Sequence, residues 1–181
     1  MIHEEIIIAG FGGQGVLSMG KILAYSGIKQ DLEVTWMPSY GPEMRGGTAN
    51  VTVILSENRI SSPILNNYET GIILNQQSID KFEKSIKPGG ILLYDTNGIK
   101  KHPSRTDIEI YQVEAAKQAA QMKNNRVFNM IVLGAYLKIK NFLDFEHVLE
   151  GLKESLPQRY HNLIPLNAEA LQKGMDIVKK A

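Results

Sequence analysis

The chain has 181 residues, 20 Lys+Arg against 19 Asp+Glu for a net charge of +1, and no cysteine. This length suits one domain that buries about 70% of its unfolded surface, and the balanced charge directs it toward neither nucleic acid nor an anionic membrane. Disulfides, a cysteine nucleophile and an iron–sulfur cluster on its own thiolates are excluded, while the absence of a signal peptide and of any run near ~18 apolar residues predicts a cytoplasmic protein.

Ile6 to Ala9 reads as a strand that breaks into Gly10-Phe11-Gly12-Gly13-Gln14-Gly15. Val16, Met19, Gly20 and Leu23 then recur at helical spacing, predicting a helix from about Gln14 to Ser26 with Gly27 as its stop. Glu33 to Met37 is β-branched and aromatic, a second strand ended by Pro38, which completes a βαβ unit. The next ten residues, Ser39 to Thr48, hold three glycines and a proline and form a shaped loop. Ala49, Val51, Val53 and Leu55 alternate with Asn50, Thr52, Ile54 and Ser56, as in an edge or antiparallel strand with one face better buried.

Gly71 to Asn75 has the composition of a buried parallel strand, and Ser78 to Ile86 that of a helix with Ile79, Phe82 and Ile86 on one face. Pro88-Gly89-Gly90 forces a turn. Ile91 to Asp95 and Ile108 to Val113 read as further strands, joined by a polar, exposed stretch from Thr96 to Thr106. A short helix follows from Ala115 to Met122. The helix from Phe128 to Ile139 is apolar on nearly every side and is expected to be buried or to face a partner subunit. Its Gly134-Ala135 pair admits close approach of another helix, and its entry has Asn129 or a neighbour as cap.

After the break at Asn141-Phe142-Leu143, Asp144 is placed to cap a helix striped by Phe145, Val148, Leu149, Leu152 and Leu156, with Leu143 and Val148 as a hydrophobic staple. Asn167 is placed similarly for the last helix, which ends in Lys179-Lys180 where its dipole favours cations. The expected architecture is one α/β domain over residues 1–181, a Rossmann-like three-layer sandwich of mostly parallel sheet with helices on both faces.

His3, His102, His147 and His161 lack paired metal-ligand spacing, and the chain has no Gly-x-Ser-x-Gly elbow, no Walker lysine motif and no conspicuous acid/base pair. It therefore carries no catalytic machinery to run alone. Gly10, Gly12 and Gly15 fit G-x-G-x-x-G, which is either a phosphate cradle at a helix N-terminus or a tight strand-to-helix turn. The second strand ends Trp36-Met37-Pro38-Ser39, without the carboxylate that grips a dinucleotide's ribose, so ordinary NAD binding is disfavoured. Arg45 is able to grip a phosphate or carboxylate bidentately, and the bare backbone of Gly46-Gly47 beside it is suited to approach a ligand or another chain. In a doubly wound sheet this loop and the glycine loop emerge on one ligand-binding edge.

Three blocks, Gly10 to Gly15, Ser39 to Gly47 and Asn129-Met130-Ile131-Val132-Leu133-Gly134-Ala135, together resemble the gamma subunit of the 2-oxoacid:ferredoxin oxidoreductases over nearly the whole chain. The resemblance implies a multisubunit enzyme that decarboxylates a 2-oxoacid on thiamine diphosphate, passes electrons through iron–sulfur clusters to ferredoxin and transfers the acyl group to coenzyme A. It assigns thiamine and the clusters mainly to alpha, beta and delta partners, and associates the gamma domain with subunit assembly and, in related fused enzymes, with the holding of coenzyme A. The candidate ligands for coenzyme A phosphate are then Gly12, Gly13, Gln14, Gly15, Arg45, Gly46 and Gly47. Two other readings stand beside it: a scaffold subunit whose glycine loops only pack against partners, and a free-standing Rossmann-like nucleotide-binding oxidoreductase.

Overall fold

Among the described residues, aliphatic and β-branched runs build seven strands, and the segments between them build six helices. In chain order these are β1 (His3–Phe11), α1 (Val16–Lys29), β2 (Glu33–Ser39), β3 (Thr48–Ser56), β4 (Tyr68–Ile73), α2 (Gln76–Phe82), β5 (Ile86–Asp95), β6 (Glu109–Val113), α3 (Ala115–Gln121), α4 (Phe128–Lys140), α5 (Phe145–Ser155), α6 (Ile164–Ile177) and β7 (Lys179–Lys180). The computed structural model describes residues 1–39 and 47–181.

The strands form one sheet in the order β2-β3-β1-β4-β5-β6-β7. β1, β4, β5 and β6 pair in parallel. β3 runs antiparallel to both of its neighbours, β1 and β2, and β7 runs antiparallel to β6. Ile6, Ile7, Ile8 and Ala9 on β1 have no exposed surface, because both sheet faces are covered. Ile6 and Ile8 join the core under α1 and α3 to α6, whereas Ile7 and Ala9 join the one under α2. The expected three-layer α/β sandwich is therefore present, with five helices on one face and α2 on the other.

Several expectations are corrected. β2 runs parallel to β1 but does not touch it, since β3 lies between them, so the β1–α1–β2 crossover spans an intervening strand. Of the two alternatives for the Ala49 to Ser56 strand, antiparallel holds and edge does not: β2 lies at the edge on that side, and Pro38, expected to end β2, sits inside it, as an edge position tolerates. β3 is not better buried on one face: Thr52, Ile54 and Ser56 are 6%, 1% and 1% exposed, much like Val51, Val53 and Leu55 at 0%.

Gly27 does not stop α1. The helix runs on to Lys29, and a Cβ at Gly27 would stand 2.6 Å from Leu55 Cδ2, so this glycine seats α1 on β3; the left-handed residue after the helix is Asp31, φ 56°. The helix predicted to reach Ile86 ends at Phe82, followed by a 3-10 turn over Glu83–Ser85, and Ile86 already belongs to β5. Pro88-Gly89-Gly90 lies within β5 at an irregularity of its pairing with β4. Asn167 sits inside α6, which starts at Ile164 with Pro165 in its first turn, and the Asn167 side chain donates to Leu163 O. Lys179-Lys180 pairs with β6 and does not end the helix. α4 is buried within this chain, and the helix that approaches Gly134 is α6.

Candidate functional site

The glycine loop leaves the carboxyl end of β1 and enters α1 through two left-handed residues, Gly13 at φ 93° and Gly15 at φ 77°. Gly15 is the residue before α1, and a Cβ on it would stand 2.7 Å from Asn129 Cγ, so the loop also needs glycine there for space. No atom of the described residues lies within 4 Å of where a Cβ on Gly13 would be.

The structure brings together Gly12, Gly13, Gln14, Gly15 and Gly47. Gly12 N donates to Gly47 O at 3.1 Å, so the bare backbone expected to approach another group approaches this same chain. Gln14 N donates to Phe11 O at 3.2 Å, the Gln14 Oε1 accepts from Phe11 N at 2.6 Å, and its Nε2 donates to Leu74 O at 3.3 Å. Two of the four loop amides are thus engaged internally, while those of Gly13 and Gly15 have no partner among the described residues. Beyond them lies the first turn of α1, whose leading N–H groups are left without intrahelical acceptors and carry the positive end of the helix dipole. No acidic side chain occupies that turn. Arg45 and Gly46, the other two expected site residues, lie outside the described residues.

Two cavities flank the loop. One, about 330 Å³, is lined by Phe11, Gly12, Gly13, Gly15, Ser18 and Ala49. The other, about 700 Å³, is bounded by Gly13, Gln14, Asp95, Asn97, Lys117 and Phe128 at the carboxyl ends of the parallel strands. Asp95 escaped the sequence reading, although an acid that ends a buried apolar strand is the available signal. Its carboxylate, 1% exposed, accepts from Asn97 N and Ala116 N, both at 3.2 Å, and so fastens the start of α3 to β5. Burial pushes its pKa up to about 6 against these bonds. Asn129 or a neighbour was expected to cap α4, but no side chain caps that helix: Asn129 packs on Gly15, and Asn124 caps only the 3-10 turn Asn125–Val127 that precedes it, accepting from Arg126 N at 3.1 Å.

Among the described residues no group of three His, Asp or Glu side chains converges to hold a metal ion, and no helix is long and apolar enough to cross a membrane. The loop offers backbone donors at a helix N-terminus, chemistry suited to anchoring an anion.

Residues 5–177 match the family described as pyruvate ferredoxin/flavodoxin oxidoreductase. The ketoisovalerate oxidoreductase subunit VorA of Methanothermobacter marburgensis is 33% identical over 177 residues, which are 97% of this chain and 37% of VorA. The chain thus spans little more than a third of that relative. The 2-oxoglutarate synthase subunit KorC of Methanocaldococcus jannaschii is 31% identical over 99% of this chain and 96% of its own length. Among solved structures, the keto/oxoacid ferredoxin oxidoreductase gamma subunit from Geobacter sulfurreducens superposes with a TM-score of 0.83 at 25% identity, over 98% of this chain and 97% of that one. The 2-oxoglutarate:ferredoxin oxidoreductase of Magnetococcus marinus, solved with 2-oxoglutarate, coenzyme A and succinyl-CoA bound, reaches 0.87 at 25% identity, over 97% of this chain and 31% of that one.

Proposed function

Because the chain belongs to the pyruvate ferredoxin/flavodoxin oxidoreductase family, we propose that it serves as the gamma subunit of a multisubunit 2-oxoacid:ferredoxin oxidoreductase. The complex converts a 2-oxoacid to its acyl-CoA with loss of carbon dioxide and reduction of ferredoxin, in the cytoplasm. Thiamine diphosphate and the iron–sulfur clusters reside on the alpha, beta and delta partners, a division in keeping with the absence of cysteine here. Selection of the 2-oxoacid belongs to those partners as well.

This chain's own part is positional. Gly13 and Gly15, with the first turn of α1, receive a phosphate of coenzyme A, and Arg45 supplies the charge that grips it. Gly12 and Gly47 hold the loop in shape through the bond between them, and Gln14 does so through its bonds to Phe11 and Leu74. The observation that carries this reading is the pair of left-handed glycines, their amides without a partner among the described residues, at a helix N-terminus beside an open cavity. Held at its phosphates, coenzyme A presents its thiol to the partner subunits, and the bound geometry substitutes for a chance encounter.

Calorimetry on the assembled complex tests it. Arg45→Ala and Gly13→Val should each weaken coenzyme A binding, and unchanged affinity in both removes this loop from the site.

A scaffold role is favoured by a different observation: Phe11 at the end of β1 and Trp36 and Met37 on the edge strand β2 remain 39%, 37% and 38% exposed, apolar surface suited to a neighbouring subunit. If Gly13→Val dissociates the complex on size exclusion while the surviving complex keeps its coenzyme A constant, the scaffold reading replaces the binding one. Nicotinamide or flavin binding by the isolated chain would instead support a free-standing oxidoreductase.

A further inference from the structure

Gly10, Gln14 and Leu74 meet in the crevice between the carboxyl ends of β1 and β4. α1 leaves β1 toward one face of the sheet and α2 follows β4 onto the other. This is the topological switch point, where doubly wound sheets open to take a ligand between their strands. Here it is shut. Leu74 N donates to Ala9 O at 2.9 Å, and the next step of the crevice is filled by the Gln14 carboxamide. One end of that group takes the Phe11 amide at 2.6 Å and the other reaches Leu74 O at 3.3 Å. Gly10 provides the room, since a Cβ on it would stand 2.6 Å from Gln14 Oε1 and 2.9 Å from Leu74 Cβ.

We infer that Gln14 is the positioning residue of the glycine loop. Its carboxamide closes the β1/β4 crevice and ties the loop to β4, so that Gly13 and Gly15 are held at the rims of the flanking cavities and the phosphate is received beside the crevice, not within it. Two consequences distinguish this from a simple turn. The pyrophosphate of a dinucleotide, which needs the open switch point, is refused by a group of the protein itself. A phosphate on a long flexible arm, entering from the side, is accepted. The identity of that arm as coenzyme A rests on the function proposed above; the closure of the crevice does not.

Amide hydrogen exchange on the full chain reads the closure without any ligand. In Gln14→Ala the amides of Phe11 and Gly12 should lose protection while those of Ile7 and Ile8 in the core keep theirs; unchanged protection at Phe11 and Gly12 overturns the proposal. In the assembled complex the same substitution should raise the KM for coenzyme A about tenfold, as expected when one ordinary hydrogen bond's worth of organisation is lost, with kcat within about twofold. Gln14→Glu keeps an acceptor for Phe11 N but loses the donor to Leu74 O, so it should retain the Phe11 protection and still raise KM. Arg45→Ala separates the two ideas. If it raises KM while Gln14→Ala loosens the loop without effect on KM, Gln14 positions nothing and the coenzyme A site stands. If neither substitution moves KM, coenzyme A binding at this loop is wrong, and the positioning role falls with it.

Discussion

Gly134 of α4 lies directly against the carbonyl oxygen of Leu171 in α6, with no room between them for a Cβ. The contact is reciprocal, because Gly174 of α6 is pressed in the same way onto Ile131 O of α4. Two glycines facing each other's backbones let the two helices pack closer than side chains allow, and this pair holds α6 over the buried α4.

Gly134→Ala should therefore push the helices apart. Alanine's better helix propensity returns at most about 1 kcal/mol, whereas overpacking of a close-packed interior costs about 1–3 kcal/mol, here at the upper end because the obstacle is backbone. Urea unfolding should show a net loss of about 2 kcal/mol, and a stability equal to that of the parent would refute the interlock.

Gly15→Ala tests the loop entry. A left-handed conformation costs a residue with a Cβ about 1–2 kcal/mol, and the Asn129 side chain adds a steric penalty. Combining it with Asn129→Gly, which also removes the Asn129 Cβ that would stand 2.8 Å away, should recover the steric share but not the backbone share. Strict additivity of the two substitutions would show that Asn129 does not crowd this position.

Lys140 forms an ion pair of 2.7 Å with the Glu4 carboxylate, which is 4% exposed and also accepts from Thr70 Oγ1. Burial raises the Glu4 pKa, while Lys140 and Thr70 oppose the rise. Lys140→Met strands the carboxylate and should cost about 3 kcal/mol at neutral pH. The loss should shrink as pH falls and Glu4 takes up a proton. Adding Glu4→Gln should restore most of it; if the double substitution is no more stable than Lys140→Met, the pair is not the cause.

Asp95 makes its own pH signature. A carboxyl whose folded pKa lies above its ordinary value binds its proton more tightly when folded, so it favours folding most below 3.8 and loses that contribution as pH rises to about 6. Asp95→Asn removes the titration. The stability of the parent relative to the variant should fall by about 3 kcal/mol across that window, measured by urea unfolding at several pH values; a constant difference would contradict the burial of an ionising group there.

The elements near the site were legible because their signals are local. Ile6 to Ala9, the glycine run and the helical spacing of Val16, Met19 and Leu23 place a strand, a turn and a helix in succession, and each sits where its period puts it. The all-round apolar character of Phe128 to Ile139 likewise predicted a helix either buried or facing a partner subunit, and α4 is buried. Gln14 was a candidate as part of a binding loop, but nothing in its neighbours' chemistry announces a side chain turned inward to Leu74, sixty residues along the chain.

Periodicity states which residues are hidden, not what hides them. By itself the sequence determined an α/β domain with a glycine loop between its first strand and helix. Tertiary structure alone decided that β3 would separate β2 from β1, that Gly27 would be a packing surface for Leu55 and not a helix stop, and that the switch-point crevice would be closed from within. The physical reason is the same in each case: strand neighbours, the space beside a glycine and the partner of a buried amide are set by residues far away in the chain, whose encounter depends on the whole packing and leaves no mark in local spacing.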